Sequence, residues 1–190
     1  MPGTSPLSPR LPAALLALAL AGGAAGAQEG TGAPAEAGGI PPDSTIGMVL
    51  AKHAESGCED PGSEHMKRIP GLVSTLSPTA TLFAVPCTAS GPNTTYRLYV
   101  RESGEVGGLE VLKFATWTPD HGWTGTDLLY NIEIEGPRLR ARFKAAPKGD
   151  CGTYAEWTWA DYAYRLDRFA AEPDCRGRAV ADWPIVYPPQ

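Results

Sequence analysis

The sequence lacks a basic cluster. Its 16 Lys and Arg residues are outnumbered by 21 Asp and Glu, and no stretch of them could neutralise a row of phosphates. Nucleic acid is therefore excluded as an expected partner. The tight Cys-x-x-Cys pairs that usually hold zinc are missing, and the three histidines, His53, His65 and His121, do not fall at metal-ligand spacings. No metal and no organic cofactor is expected. Absent too are G-x-S-x-G, the P-loop, G-x-G-x-x-G and H-E-x-x-H, which removes the common signatures of hydrolases, nucleotide binders and zinc proteases. Aromatic residues are missing from everything before Phe83: the five Trp, seven Tyr and four Phe all lie between Phe83 and Tyr187.

What is present begins with a leader-like segment. Arg10 precedes the apolar run Leu11–Leu20, and Ala25-Gly26-Ala27 fits the small-x-small pattern read by a signal peptidase. The run is shorter than the roughly 20 residues a membrane span needs, so residues 1–27 are expected to be a cleaved signal peptide, with the mature chain starting at Gln28. No Cys sits at the cleavage point to carry a lipid. Without Arg10, 16 basic residues become 15 against 21 acidic ones, a net charge of −6. Such mild acidity promotes solubility. The expected location is the periplasm or the medium, with no membrane span after cleavage, and the Arg-, Ala-, Gly- and Pro-rich composition suits a GC-rich bacterial genome.

All four cysteines, Cys58, Cys87, Cys151 and Cys175, lie after the leader. An even number of Cys in an oxidising compartment reads as a disulfide framework, for which three connectivities exist. The pairing Cys58–Cys87 and Cys151–Cys175 is expected, because each pair flanks its own structural unit.

Residues 28–43 (QEGTGAPAEAGGIPP and Asp43) offer almost nothing to bury and read as a flexible linker. A single β-rich domain is expected over 44–190, with a helical lid at 44–57. Asp43 or Ser44 caps a short helix whose face carries Ile46, Val49, Leu50 and His53, and Gly57 ends it. With every aromatic residue downstream, the core is expected in the second half of the chain. From Leu82 the period changes to two: Leu82, Ala84 and Pro86 alternate with Phe83, Val85 and Cys87, and Tyr96, Leu98 and Val100 with Arg97, Tyr99 and Arg101. Leu109–Trp117, apolar on both faces, reads as a central strand.

Two hairpins stand out. A two-residue turn at Gly136-Pro137 sets Glu135 opposite Arg138, Ile134 opposite Leu139 and Glu133 opposite Arg140. One face is then apolar from Tyr130 to Phe143, and the other alternates Glu with Arg. The run Arg138, Arg140, Arg142 invites an anion site, but a solvated face neutralised by Glu133 and Glu135 is the plainer reading. A loop of two or four residues around Asp161-Tyr162 sets Trp159 opposite Tyr164 and Trp157 opposite Leu166, and this apolar face reads as core rather than as a sugar platform. Asn93-Thr94-Thr95 matches a glycosylation acceptor and reads as the turn before the strand at Tyr96.

The loop TPDHGWTGTD supplies the candidate binding residues Trp117, Asp120, His121 and Trp123. Asp120 and His121, with Asp127 nearby, could form a hydrolytic base or a Ca²⁺ loop. The oxygen spacing of a calcium loop is absent, and Pro-Asp and His-Gly turn chemistry accounts for the loop. No catalytic residue is assigned.

Gly149-Asp150-Cys151-Gly152, Trp157-Thr158-Trp159, Tyr164-Arg165-Leu166, Cys175-Arg176-Gly177 and Trp183-Pro184 together resemble the bacterial family called domain of unknown function 1176. Leu76–Cys87 and Asn93 resemble that family's strand ending in Pro-Cys and its following turn. The resemblance implies an exported protein and a shape, and no chemistry. This chain has Ala160-Asp161-Tyr162 where the family commonly has Asp-Gly after the second Trp.

The expected fold is mainly β: about seven strands in antiparallel hairpins forming a sandwich or curved sheet, one short N-terminal helix, and disulfide staples. The leading functional reading is a non-catalytic envelope module that binds a protein or a cell-wall component. A carbohydrate-binding module using exposed Trp and a hydrolase around Asp120 and His121 are the alternatives.

Overall fold

The computed structural model describes residues 44–103 and 108–189. The expected signal peptide 1–27, its cleavage point and the linker 28–43 lie outside the described residues.

The fold opens on helix α1 (Thr45–Ala54), where the Ser44 hydroxyl accepts the Gly47 N–H at 3.0 Å and caps the first turn. Strands β1 (Leu72–Thr75), β2 (Ala80–Ser90), β3 (Asn93–Glu102), β4 (Leu109–Val111), β5 (Phe114–Thr118) and β6 (Gly122–Thr126) follow. Then come β7 (Leu128–Tyr130), β8 (Glu133–Glu135), β9 (Arg138–Lys144), β10 (Gly152–Ala160), β11 (Ala163–Glu172) and β12 (Ile185–Tyr187). Every pairing is antiparallel. The first sheet runs β1-β2-β3, with β4 and β7 sharing the far edge of β3, and the second runs β12-β11-β10-β9-β8. Among the described residues β5 and β6 pair only with each other, as a two-stranded ribbon.

The main core lies between the two sheets. Leu82 and Ala84 of β2 and Tyr96 and Leu98 of β3 meet Leu139, Ala155, Trp157 and Phe169 from the second sheet. The alternation in the sequence sets this directly, since period-two residues share one face. The other face of the first sheet is apolar as well. Phe83, Val85 and Tyr99 pack under Val49 and Leu50 of α1, so β2 is buried on both sides. Ile46, expected on the same helical face, stays 47 % exposed at its margin. His53 is buried there, its Nδ1 3.0 Å from the Tyr99 hydroxyl.

Both hairpins adopt the register the sequence implies. Glu133 faces Arg140, Ile134 faces Leu139 and Glu135 faces Arg138, around a turn whose first residue, Gly136, has φ +56°. A positive φ followed by proline is the II′ arrangement, whose twist matches that of the strands. Trp157 faces Leu166 and Trp159 faces Tyr164. Asp161 and Tyr162 both have positive φ, 49° and 63°, which makes this a I′ turn without glycine.

Three expectations need correction. Leu109–Trp117 is no central strand. It breaks at Leu112-Lys113 into β4, on an edge, and β5, in the ribbon. Lys113 is exposed, and a central strand covered on both faces would have had to bury its ammonium. Twelve strands are described rather than about seven, because several are three-residue pieces that periodicity cannot resolve. Finally, the sheet reaches upstream of the first aromatic residue. β1 pairs with Thr81–Ala84, and Met66 is 2 % exposed, so aliphatic residues do there what rings do elsewhere.

Two disulfides close the structure, Cys58–Cys87 and Cys151–Cys175. The first joins the segment after α1 to β2, and the second joins the start of β10 to the segment after β11. Beside the second bridge, Gly152 has φ +132°, and a Cβ there would lie 2.0 Å from the Phe143 carbonyl oxygen. Only glycine fits that approach.

Candidate binding cleft

The ribbon β5–β6 packs on the core through Phe114 and Trp117, and Trp123 meets Phe169 of the second sheet. Between the ribbon with the neighbouring β7 and the inner face of the second sheet is an open cleft of about 300 Å³. Its floor is formed by Ala141 and Ala155, which face each other across β9 and β10. Their small side chains leave the room, and the aromatic walls Trp117, Phe143, Trp157 and Phe169 bound it. Thr116, Thr118, Thr126 and Thr153 stand around the margin, the Thr126 hydroxyl held by the Leu128 backbone and the Thr118 hydroxyl by the His121 N–H, and no charged side chain lines it. Such a surface suits the apolar part of a ligand with a few hydrogen bonds to orient it. It has no acid–base pair with which to do chemistry.

The four candidate residues from the sequence lie along the ribbon but are not equivalent. Trp117 and Trp123 face each other across the strands. Trp117 is half-buried against the main core and lines the cleft. Trp123 is 45 % exposed, resting edge-on against Phe169 at 5.3 Å and at 89° to the Tyr187 ring. Coplanar rings in water, which a flat sugar platform needs, are not formed by this pair. Trp183 is buried, its indole N–H donating to the Arg178 carbonyl at 3.3 Å. Asp120 and His121 occupy the exposed tip of the ribbon. His121 takes its polar contacts from Thr118, at 3.3 and 3.4 Å. Asp127 pairs instead with Arg97 at 3.3 Å, so the structure does not bring Asp120, His121 and Asp127 into one site.

The remaining titratable groups of note serve packing. Burial lowers the His53 pKa from 6.5, and the nearby Arg97 charge lowers it further, leaving a neutral imidazole under α1. Burial also raises Tyr164, and it raises Tyr154 to about 12, assisted by the hydrogen bond its hydroxyl donates to Glu156 at 2.5 Å. Asp150 lies beside Cys151 and Cys175, but the two sulfurs are bonded to each other, and the Asp150 carboxylate accepts the Gly177 N–H at 3.0 Å. That grouping is a capped bridge rather than a metal site.

Sequence reasoning missed the threonines and the Ala141–Ala155 floor. The available signal was two alanines at inward positions of strands otherwise filled by Leu, Phe and Trp.

Two stacked antiparallel sheets and two disulfides define a stapled β-sandwich protein, with the β5–β6 ribbon bordering a cleft. A family model described as "Protein of unknown function (DUF1176)" matches residues 25–190, and the chain belongs to that family. No curated protein and no solved structure matches it.

Proposed function

We propose that this protein is an exported, non-catalytic binding module of the cell envelope, and that it holds its partner in the cleft beneath the β5–β6 ribbon. The observation that carries the reading is the lining of that cleft: aromatic walls, an alanine floor and threonine hydroxyls, with no charged group. Two disulfides suit an oxidising compartment, and the leader-like residues 1–27 supply the route. The partner is an envelope protein or a cell-wall component presenting an apolar or ring-shaped portion to the cleft.

A photo-crosslinking residue at Thr118, on the lip, tests this in living cells, with the same residue at Lys67 as the reference. The expected result is a discrete adduct from Thr118, found in the envelope fraction, which weakens when Trp117 is replaced by Ala. Identical adduct patterns from both positions, or retention of the chain in the cytoplasm, would overturn the proposal.

A further inference from the structure

The outer face of the second sheet, opposite the cleft, carries a cluster of three arginines that carboxylates neutralise only in part. Arg140 and Arg142 of β9, Tyr154 of β10 and Arg168 of β11 line one pocket of about 290 Å³, with the Glu133 carboxylate, paired to Arg140, at its margin. The register explains the gathering. Arg142 faces Tyr154 across β9 and β10, and Glu156, two residues along β10, faces both Arg140 and Arg168. The three guanidiniums are not alike. Arg140 is neutralised as the sequence suggests, by Glu135 at 3.1 Å and Glu133 at 3.7 Å. Glu156 accepts the Tyr154 hydroxyl at 2.5 Å. Arg142 and Arg168 form no ion pair with any described carboxylate. Arg142 lies over the Trp183 ring, 5.6 Å from its centre, and donates to the Gly149 carbonyl. Arg168 lies 5.8 Å from the centre of the Tyr154 ring and donates to the Ala181 carbonyl at 3.4 Å. In both, Nε is buried without an acceptor among the described residues.

We propose that this pocket is an oxyanion site for a phosphate group, held by Arg142 and Arg168. Two charges without carboxylate partners match a dianion. Aromatic faces and backbone carbonyls hold the guanidiniums in place beforehand, so little side-chain freedom is lost on binding. Guanidinium forks pair with phosphate oxygens in two parallel bonds. The buried Nε donors are costly to leave unused, and a polyoxygen ligand offers acceptors to meet them. The site is independent of the cleft and stands whether or not the proposed envelope role does.

Titration of the mature protein with inorganic phosphate and with glycerol phosphate, followed by NMR at constant ionic strength, tests it, with acetate and chloride as references. Vesicles of phosphatidylcholine with and without phosphatidic acid form a second arm. The expected result is saturable binding of phosphate that acetate and chloride do not reproduce. It should weaken at least about tenfold in R142Q and in R168Q, and stay unchanged in R165Q, whose exposed side chain pairs with Asp161. Amide spectra of the variants establish that they fold. Binding by the soluble phosphates identifies a free phosphate compound. Binding by phosphatidic acid vesicles alone, again lost in R142Q and R168Q, identifies a lipid headgroup. No saturable response in either arm, or a response that survives both substitutions in folded protein, would overturn the site.

Discussion

The side-chain amide of Asn131 donates to the carboxamide oxygen of Asn93 at 2.8 Å and to the Arg142 carbonyl at 2.8 Å, fastening one sheet to the other. Asn93, at the start of β3, returns the connection by donating to the Lys144 carbonyl at 2.9 Å and accepting the Lys144 N–H at 3.0 Å. Asn131 sits where the chain leaves β7 in the first sheet for β8 in the second, with φ +43°. Its side-chain oxygen accepts the Thr94 N–H at 3.0 Å. The two asparagines thus satisfy the backbone groups that a change of sheet leaves unpaired.

Replacing either asparagine by Ala should lower the unfolding free energy by about 1–3 kcal/mol, since several part-buried bonds are lost together. The double variant should cost less than the two combined, because each removes the other's partner. Asn131→Gly should be milder than Asn131→Ala, as a left-handed backbone costs an ordinary residue about 1–2 kcal/mol. Urea denaturation midpoints decide all three. Additive losses would show that the pair does not act as a unit.

Trp159→Ala should cost about 3–5 kcal/mol and lower the melting temperature sharply. The indole is 9 % exposed and packs with Ala80 and Val100 across the sandwich. His121→Ala, at the exposed ribbon tip, should stay within about 0.5 kcal/mol of the parent. A Trp159→Ala protein that melts normally would remove this ring from the core, and thermal unfolding by circular dichroism reads both.

Each disulfide closes a loop, with sequence separations of 29 and 24 residues, and each should contribute about 3 kcal/mol through the unfolded chain. Replacing Cys151 and Cys175 together by Ser should therefore lower stability by about that amount. Peptide mapping without reduction should recover Cys58 with Cys87 and Cys151 with Cys175. A peptide linking Cys87 to Cys151 would contradict the structure.

The buried His53 makes stability depend on pH. Its folded pKa lies below the unfolded 6.5, so between those two values the unfolded chain binds the proton more strongly. Stability should be full above about pH 6.5 and fall as the pH drops toward the folded pKa. His53→Gln should flatten that part of the curve while keeping a group able to meet the Tyr99 hydroxyl. Urea midpoints at pH 7.5 and 5.5 for both proteins test the difference, and equal slopes would acquit His53.

Local pattern was enough wherever neighbours in sequence are neighbours in space. Glu135 with Arg138 and Trp159 with Tyr164 could be paired from the turn residues between them, and inward alternation named Trp157, Leu139 and Leu98 as core. Nearest-neighbour disulfides followed from which units the cysteines flank. The rest depends on contacts between distant segments. Whether Lys113 interrupts a strand depends on what covers each face, which no window along the chain reveals. Asn93 reads as a turn residue until Asn131 and Lys144 are placed beside it. Arg142 reads as one more charge in a neutralised ladder until β11 delivers Arg168 and the C-terminal segment delivers Trp183. The cleft exists because two alanines from different strands meet under a ribbon that pairs only with itself. Hairpin register is set by interactions a few residues apart, so it is legible in sequence. Sheet stacking and the sites between elements are set by which distant faces exclude water together, and only the tertiary structure decides that.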